Sequence, residues 1–184
     1  MMVERSDVRQ DEVMRHLRAV SAEVRLSGSP EEARAFDYIE RELKSWGYDV
    51  KRYSLDAYTG YPEQAWLKLT SPQQVEFLAN GYSLSPGTSP EGIEAELVDA
   101  GNGSAAEFAA IDAAGKIVLS EGLATPGKAL LAAKAGAVGH IHINGDHIHE
   151  MCISPVWGTP TPETAHLLPS VPSVAVTGET GEAL

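Results

Sequence analysis

Apolar residues in this chain recur first at helical steps and later at alternate positions. Val13, Leu17, Val20 and Val24 stand four, three and four apart, which puts them on one face of a helix over about 7–24. A second helix follows closely. Ser29 suits its N-cap, Pro30 its first turn, and Glu32, three residues past the serine, completes a capping box. Phe36, Ile39, Leu43 and Trp46 form its apolar stripe and Gly47 ends it. Tyr48, Val50, Tyr53 and Leu55 then alternate with polar residues, the pattern of a strand.

Beyond this point the runs shorten. Residues 64–69 and 74–79 read as two extended segments around Ser71-Pro72, a hairpin or a pair of connecting strands. Residues 81–90, rich in Ser, Pro and Gly, read as a loop and a boundary. A strand is expected over 93–98 and a short helix over 105–111. Residues 114–143 then form one unit: a β-branched run at 117–120, an Ala/Leu-rich helix at 128–134 stopped by Gly136, and an extended run at 138–143. Parallel strands need a crossover of this length, so the unit predicts a parallel core with a helix packed on it. A long, proline-rich irregular segment and a last strand over 171–176 complete the chain. The fold class is α/β: a helical hairpin plus one strand, then a compact mixed sheet.

The residues that punctuate the βαβ unit carry a resemblance. Gly115-Lys116-Ile117-Val118-Leu119, then Lys134-Ala135-Gly136-Ala137-Val138-Gly139, then Leu168-Pro169-Ser170-Val171-Pro172-Ser173-Val174-Ala175-Val176 with Gly181-Glu182-Ala183-Leu184, together resemble the protease-associated (PA) domain over about 84–184. The segment Arg25-Leu26-Ser27-Gly28-Ser29-Pro30-Glu31-Glu32, with Trp46-Gly47-Tyr48, resembles the opening of zinc-dependent exopeptidases of the aminopeptidase and glutamate carboxypeptidase type, into which PA domains are commonly inserted. The resemblance implies a peptidase-like core segment over 1–60, connecting strands and a linker over 61–83, and a swivelling β/β/α PA domain over 84–184. It also implies a non-catalytic portion that shapes substrate access or assembly, with a separate catalytic domain and a peptide substrate as partners and zinc in the full-length parent.

The metal centre of that family is built on a His-x-Asp and a Glu-Glu pair, with zinc polarising a water and the glutamate taking its proton. Neither carries over to this chain. His16, His140, His142, His147, His149 and His166 are followed two positions on by Arg18, His142, Asn144, His149, Met151 and Leu168, never by Asp. Glu31-Glu32 sits in a helical first turn, where carboxylates serve the dipole. The chain by itself is therefore expected to be inactive as a peptidase and to hold no cofactor.

Fourteen basic against 26 acidic residues give a net charge of −12, which argues against nucleic acid and anionic membrane as partners. Cys152 is the only cysteine, so no internal disulfide forms. The first residues lack the apolar run of a signal peptide, so the chain as written is expected in the cytoplasm, or outside the cell if a leader has been removed.

One cluster stands apart, the run from His140 to His149. With Asn144-Gly145 as a two-residue hairpin turn, His142 would face His147 and His140 would face His149, four imidazoles fit for zinc, nickel or copper. If instead the strand ending at 143 pairs in parallel and passes into a loop, the histidines scatter; this is the stronger expectation. His147, His149, Glu150 and Trp157 are further candidates for contact with substrate or partner. Two readings compete with a peptidase portion: a free-standing protein- or peptide-binding module, and a histidine metal binder. The N-terminal stripes need a partner surface in every case, and a second copy of the chain is one candidate.

Overall fold

The computed structural model describes residues 8–149, 152–156 and 159–184. Glu150, Trp157 and the start of the helix expected from residue 7 lie outside them. The chain divides into two compact units, 1–57 and 58–184.

The first unit is a helical hairpin, α1 (Gln10–Val20) and α2 (Pro30–Ser45). The Ser29 side chain accepts from the Glu32 N–H, as its cap position predicts. The Glu32 carboxylate reaches back to the N–H of Gly28 at 2.7 Å rather than to that of Ser29, so the box is offset by one residue. Polar contacts join the helices: Arg15 to Glu42 at 3.1 Å and the His16 ring to the Tyr38 hydroxyl at 2.8 Å. Exposed ion pairs of this kind add little to stability, because solvent screens them. No described residue of either helix is buried. Leu17, Phe36 and Trp46 remain 51, 49 and 57% exposed. Residues 48–55 join no β-ladder, and the first strand after the helices is at 67–69. Alternation alone does not make a strand where no neighbour supplies its hydrogen bonds, and Tyr53 and Leu55 lie open to solvent.

The second unit is built on a five-stranded mixed sheet. Its strands are β3 (Asn80–Gly81), β4 (Leu97–Asp99), β5 (Ile117–Glu121), β6 (Gly139–Ile143) and β7 (Ser173–Val176), in the order β3-β7-β6-β5-β4. β4 to β7 run parallel, with Val118 beside His140 and His140 beside Ser173, while β3 closes the β7 edge antiparallel. The expected βαβ unit is present, and a second precedes it. The crossovers are α3 (Ala105–Ala110), held by a complete capping box of Ser104 and Glu107, and α4 (Pro126–Lys134).

Side-chain alternation sorts the two faces. Val118 packs with Phe108 of α3 and Ala132 of α4, whereas Leu119 and Ile141 pack with Ala65, Leu67 and Leu184. One face is thus covered by the helices. The other is covered by a separate antiparallel hairpin, β1 (Leu67–Leu69) with β2 (Val75–Phe77), and by α5 (Gly178–Ala183). The sequence pattern missed α5 because its two glycines carry poor helical propensity; Thr177 starts it by accepting from the Thr180 N–H. Ala129 and Ala132 are fully buried, so α4 lies directly on the sheet with no room for larger side chains. Replacing Ala132 by Leu should therefore overpack this layer and cost about 1 to 3 kcal/mol, read as a lower urea midpoint.

Candidate functional site

The structure draws the histidines of the cluster apart. His140 and His142 lie on one face of β6 beneath the helices and are buried, 1 and 0% exposed, while His147 and His149 are exposed beyond the strand. Asn144-Gly145 is no hairpin turn: Asn144 N–H continues the parallel ladder to the Val176 carbonyl at 2.8 Å. Its side-chain oxygen then accepts from the His149 N–H at 2.8 Å and starts a loop. Parallel pairing wins because β7 is already beside β6. Among the described residues no group of three or more His, Cys, Asp or Glu is placed to hold a metal ion.

The two buried rings lie with centroids 3.8 Å apart and planes tilted by 38°; the edges of Phe108 and Tyr82 close on them at 6.0 and 5.4 Å. The Ser120 hydroxyl meets His140 Nε2 at 2.9 Å. His140 Nδ1, both nitrogens of His142 and the Tyr82 hydroxyl have no protein hydrogen-bond partner. The Tyr82 hydroxyl lies near the Asn144 side chain and the Ala124 backbone without reaching bonding geometry, and burial raises its pKa. An unpaired buried polar group costs about 1 to 3 kcal/mol, so the pair is held by its packing and not by its polar contacts. Burial, reinforced by the Lys128 ammonium, pushes His140 down to about 3. Burial, then His140, then Lys128 push His142 down to about 2. Neutral imidazoles with no carboxylate partner form a core element.

A cavity of about 650 Å³ lies on the opposite face. Its floor is apolar, from Ile117, Ile141 and Val174; residues 60–68 and 85–93 flank it. Glycines let these walls close in. A Cβ on Gly92, at φ +78°, would stand 2.6 Å from the Trp66 ring, and one on Gly81 would stand 2.6 Å from Pro62. The far wall is fixed by Ser85, whose hydroxyl accepts the Ser173 N–H at 2.8 Å. Beside it Leu84 holds a left-handed φ of +65°, a conformation that costs a non-glycine residue about 1 kcal/mol or more and persists only where its surroundings impose it. Its N–H donates to the Gly60 carbonyl at 3.3 Å. Pockets of 300 to 1,000 Å³, roughly, are the usual size for small ligands. Sequence reasoning marked 81–90 only as a loop. The signal available there was the spacing of Gly81, Gly87 and Gly92 among prolines, and it does not reveal what they approach.

The second unit, a mixed sheet with α3 and α4 on one face and the hairpin and α5 on the other, has the α/β architecture expected of a PA domain. The protein-family model for that domain, PA domain, matches residues 93–184, half of the chain, and the chain belongs to this family. Among solved structures it is similar to an aminopeptidase from Aneurinibacillus sp. strain AM-1, with 27% identity and a TM-score of 0.68 over 94% of this chain and 39% of that one. It is also similar to BSAP, a zinc aminopeptidase from Bacillus subtilis. One structure of that enzyme gives 26% identity and a TM-score of 0.65 over 91% of this chain and 39% of that one. A second gives 25% and 0.64 over 95% of this chain and 40% of that one. The chain thus spans about two fifths of the length of these aminopeptidases. No curated protein matches it.

The buried histidines make stability depend on pH in one direction. Their folded-state pKa values lie below the unfolded value near 6.5, so between pH 6.5 and about 3 the unfolded chain binds protons that the folded chain refuses. Each histidine should then subtract about 1.4 kcal/mol per pH unit of acidification. Urea midpoints should fall steadily from pH 6.5 to 4, and His142→Leu should flatten that dependence; a flat profile in the parent chain would contradict the burial.

Proposed function

We propose that this chain is the non-catalytic N-terminal and PA-domain portion of a zinc-dependent aminopeptidase-type hydrolase, where it shapes substrate access or assembly. The observation that carries this reading is the reach of the likeness. It runs through more than nine tenths of the chain, both units included, instead of stopping at the PA domain. The first unit adds a physical argument: α1 and α2 bury nothing, and stripes of Phe36, Ile39 and Trp46 are what a catalytic core would cover. Each large apolar side chain left in water forgoes about 1.5 to 3 kcal/mol, a strong drive toward such a partner.

Zinc then belongs to the catalytic portion, with the His-x-Asp and Glu-Glu pattern that this chain lacks, and a peptide is the substrate. His147 and His149, exposed past β6, are taken as rim contacts to that peptide. The cavity in the second unit favours one alternative, a free-standing peptide-binding module.

The reading frame past the codon for Leu184 tests the proposal: it should encode His-x-Asp and Glu-Glu, and an immediate stop codon would overturn it. Leucine p-nitroanilide with added zinc should be hydrolysed by the extended protein and left intact by the 184 residues. In the extended enzyme, alanine at both His147 and His149 should raise KM for peptides about two- to tenfold at unchanged kcat, the range expected for one or two lost hydrogen bonds.

A further inference from the structure

We propose that the cavity bounded by Trp66, Gly92 and Ser85 is a peptide-binding site in its own right, which accepts an apolar residue bearing a free amino group. The cavity is built and not left over. Gly92 and Gly81 give up side chains so that Trp66 and Pro62 can approach, and the Ser85 hydroxyl ties the opposite loop to the first residue of β7. The left-handed Leu84 is held next to that tie, so the wall is formed before any ligand arrives. Pre-formed walls spare a ligand the cost of ordering them.

The floor of Ile117, Ile141 and Val174 asks for an apolar group, and Trp66, more than half exposed at its side, leaves aromatic surface for it to cover. Charge decides the rest. Two charged side chains line the cavity, and Lys68 is already engaged with Glu76 at 3.5 Å. Glu63 is exposed and joins no ion pair among the described residues. In a chain of net charge −12 this leaves the Glu63 carboxylate as the lining charge without a partner ion among the described residues, and a free carboxylate attracts an ammonium and disfavours a second carboxylate. A cavity of about 650 Å³ has room for more than one residue of such a ligand. The choice of a peptide as the carrier of that amine rests on the aminopeptidase reading; the cavity's preference for an apolar cation does not.

The 184-residue chain, labelled with 15N, can be titrated with Phe-Gly-Gly, with acetyl-Phe-Gly-Gly-amide and with triglycine. Phe-Gly-Gly should shift the amides of 60–68 and 85–93. The acetylated peptide should shift the same amides about two- to fivefold more weakly, the effect of one exposed ion pair, and triglycine should leave them unmoved. Glu63→Gln, at an exposed position that leaves the fold intact, should abolish the preference for the free amine while keeping the response to phenylalanine. No shift in these two segments, an equal response to triglycine, or a free-amine preference that survives Glu63→Gln would overturn the proposal. So would shifts on dilution without peptide, which would assign the cavity to a second copy of the chain. Hydrolysis by the extended enzyme without these shifts would remove this site and leave the proposed function standing; shifts without hydrolysis would do the reverse.

Discussion

Parallel strand pairing is the constraint from which the second unit follows. A chain that lays β4, β5, β6 and β7 side by side in one direction must return to the starting edge three times; α3 and α4 make the first two returns and the segment between β6 and β7 makes the third. Because the strands add in sequence order, both helices fall on the same face. That face is sealed by small side chains: Ala124, Ala129 and Ala132 show no exposed surface. The polar residues of β5 and β6 that point into it, Ser120, His140 and His142, are therefore sealed too.

The burial changes what those histidines are. A strand-borne His-x-His in the open is a ligand pair or a proton carrier; under α4, beside Lys128 and without a carboxylate, it is a neutral pair that fills space against Tyr82 and Phe108. Two imidazoles in a core cost stability as soon as the surroundings turn acidic, so this layer carries a dependence on neutral conditions that an all-aliphatic core would lack.

The same topology leaves the other face free. With α3 and α4 on one side, the hairpin β1–β2, α5, the extended residues before the hairpin and the loop before β4 cover the second side, and the cavity lies among them. Its floor is apolar, from Ile117, Ile141 and Val174. In the first unit the balance is different again. Two helices joined by Arg15, Glu42, His16 and Tyr38 bury none of their described residues, so their apolar stripes stay largely open to solvent.

Local pattern determined a good deal. The helices α1, α2, α3 and α4, with the Ser29 cap, and the strands β5, β6 and β7 follow from periodicity, turn residues and caps that act over a few positions. Elements too short or too glycine-rich to show a period were not legible: Asn80–Gly81 became a strand only because β7 offered it an edge, and α5 only because Gly181 lets it lie against Ile143. The same holds in reverse for 48–55, where the alternation is clear and no neighbour pairs with it. The fate of the histidines and the existence of the cavity were decided by tertiary structure alone. Whether His142 meets water or Tyr82, and whether Gly92 is a hinge or a seat for Trp66, depends on residues tens of positions away, which the spacing along one segment does not encode.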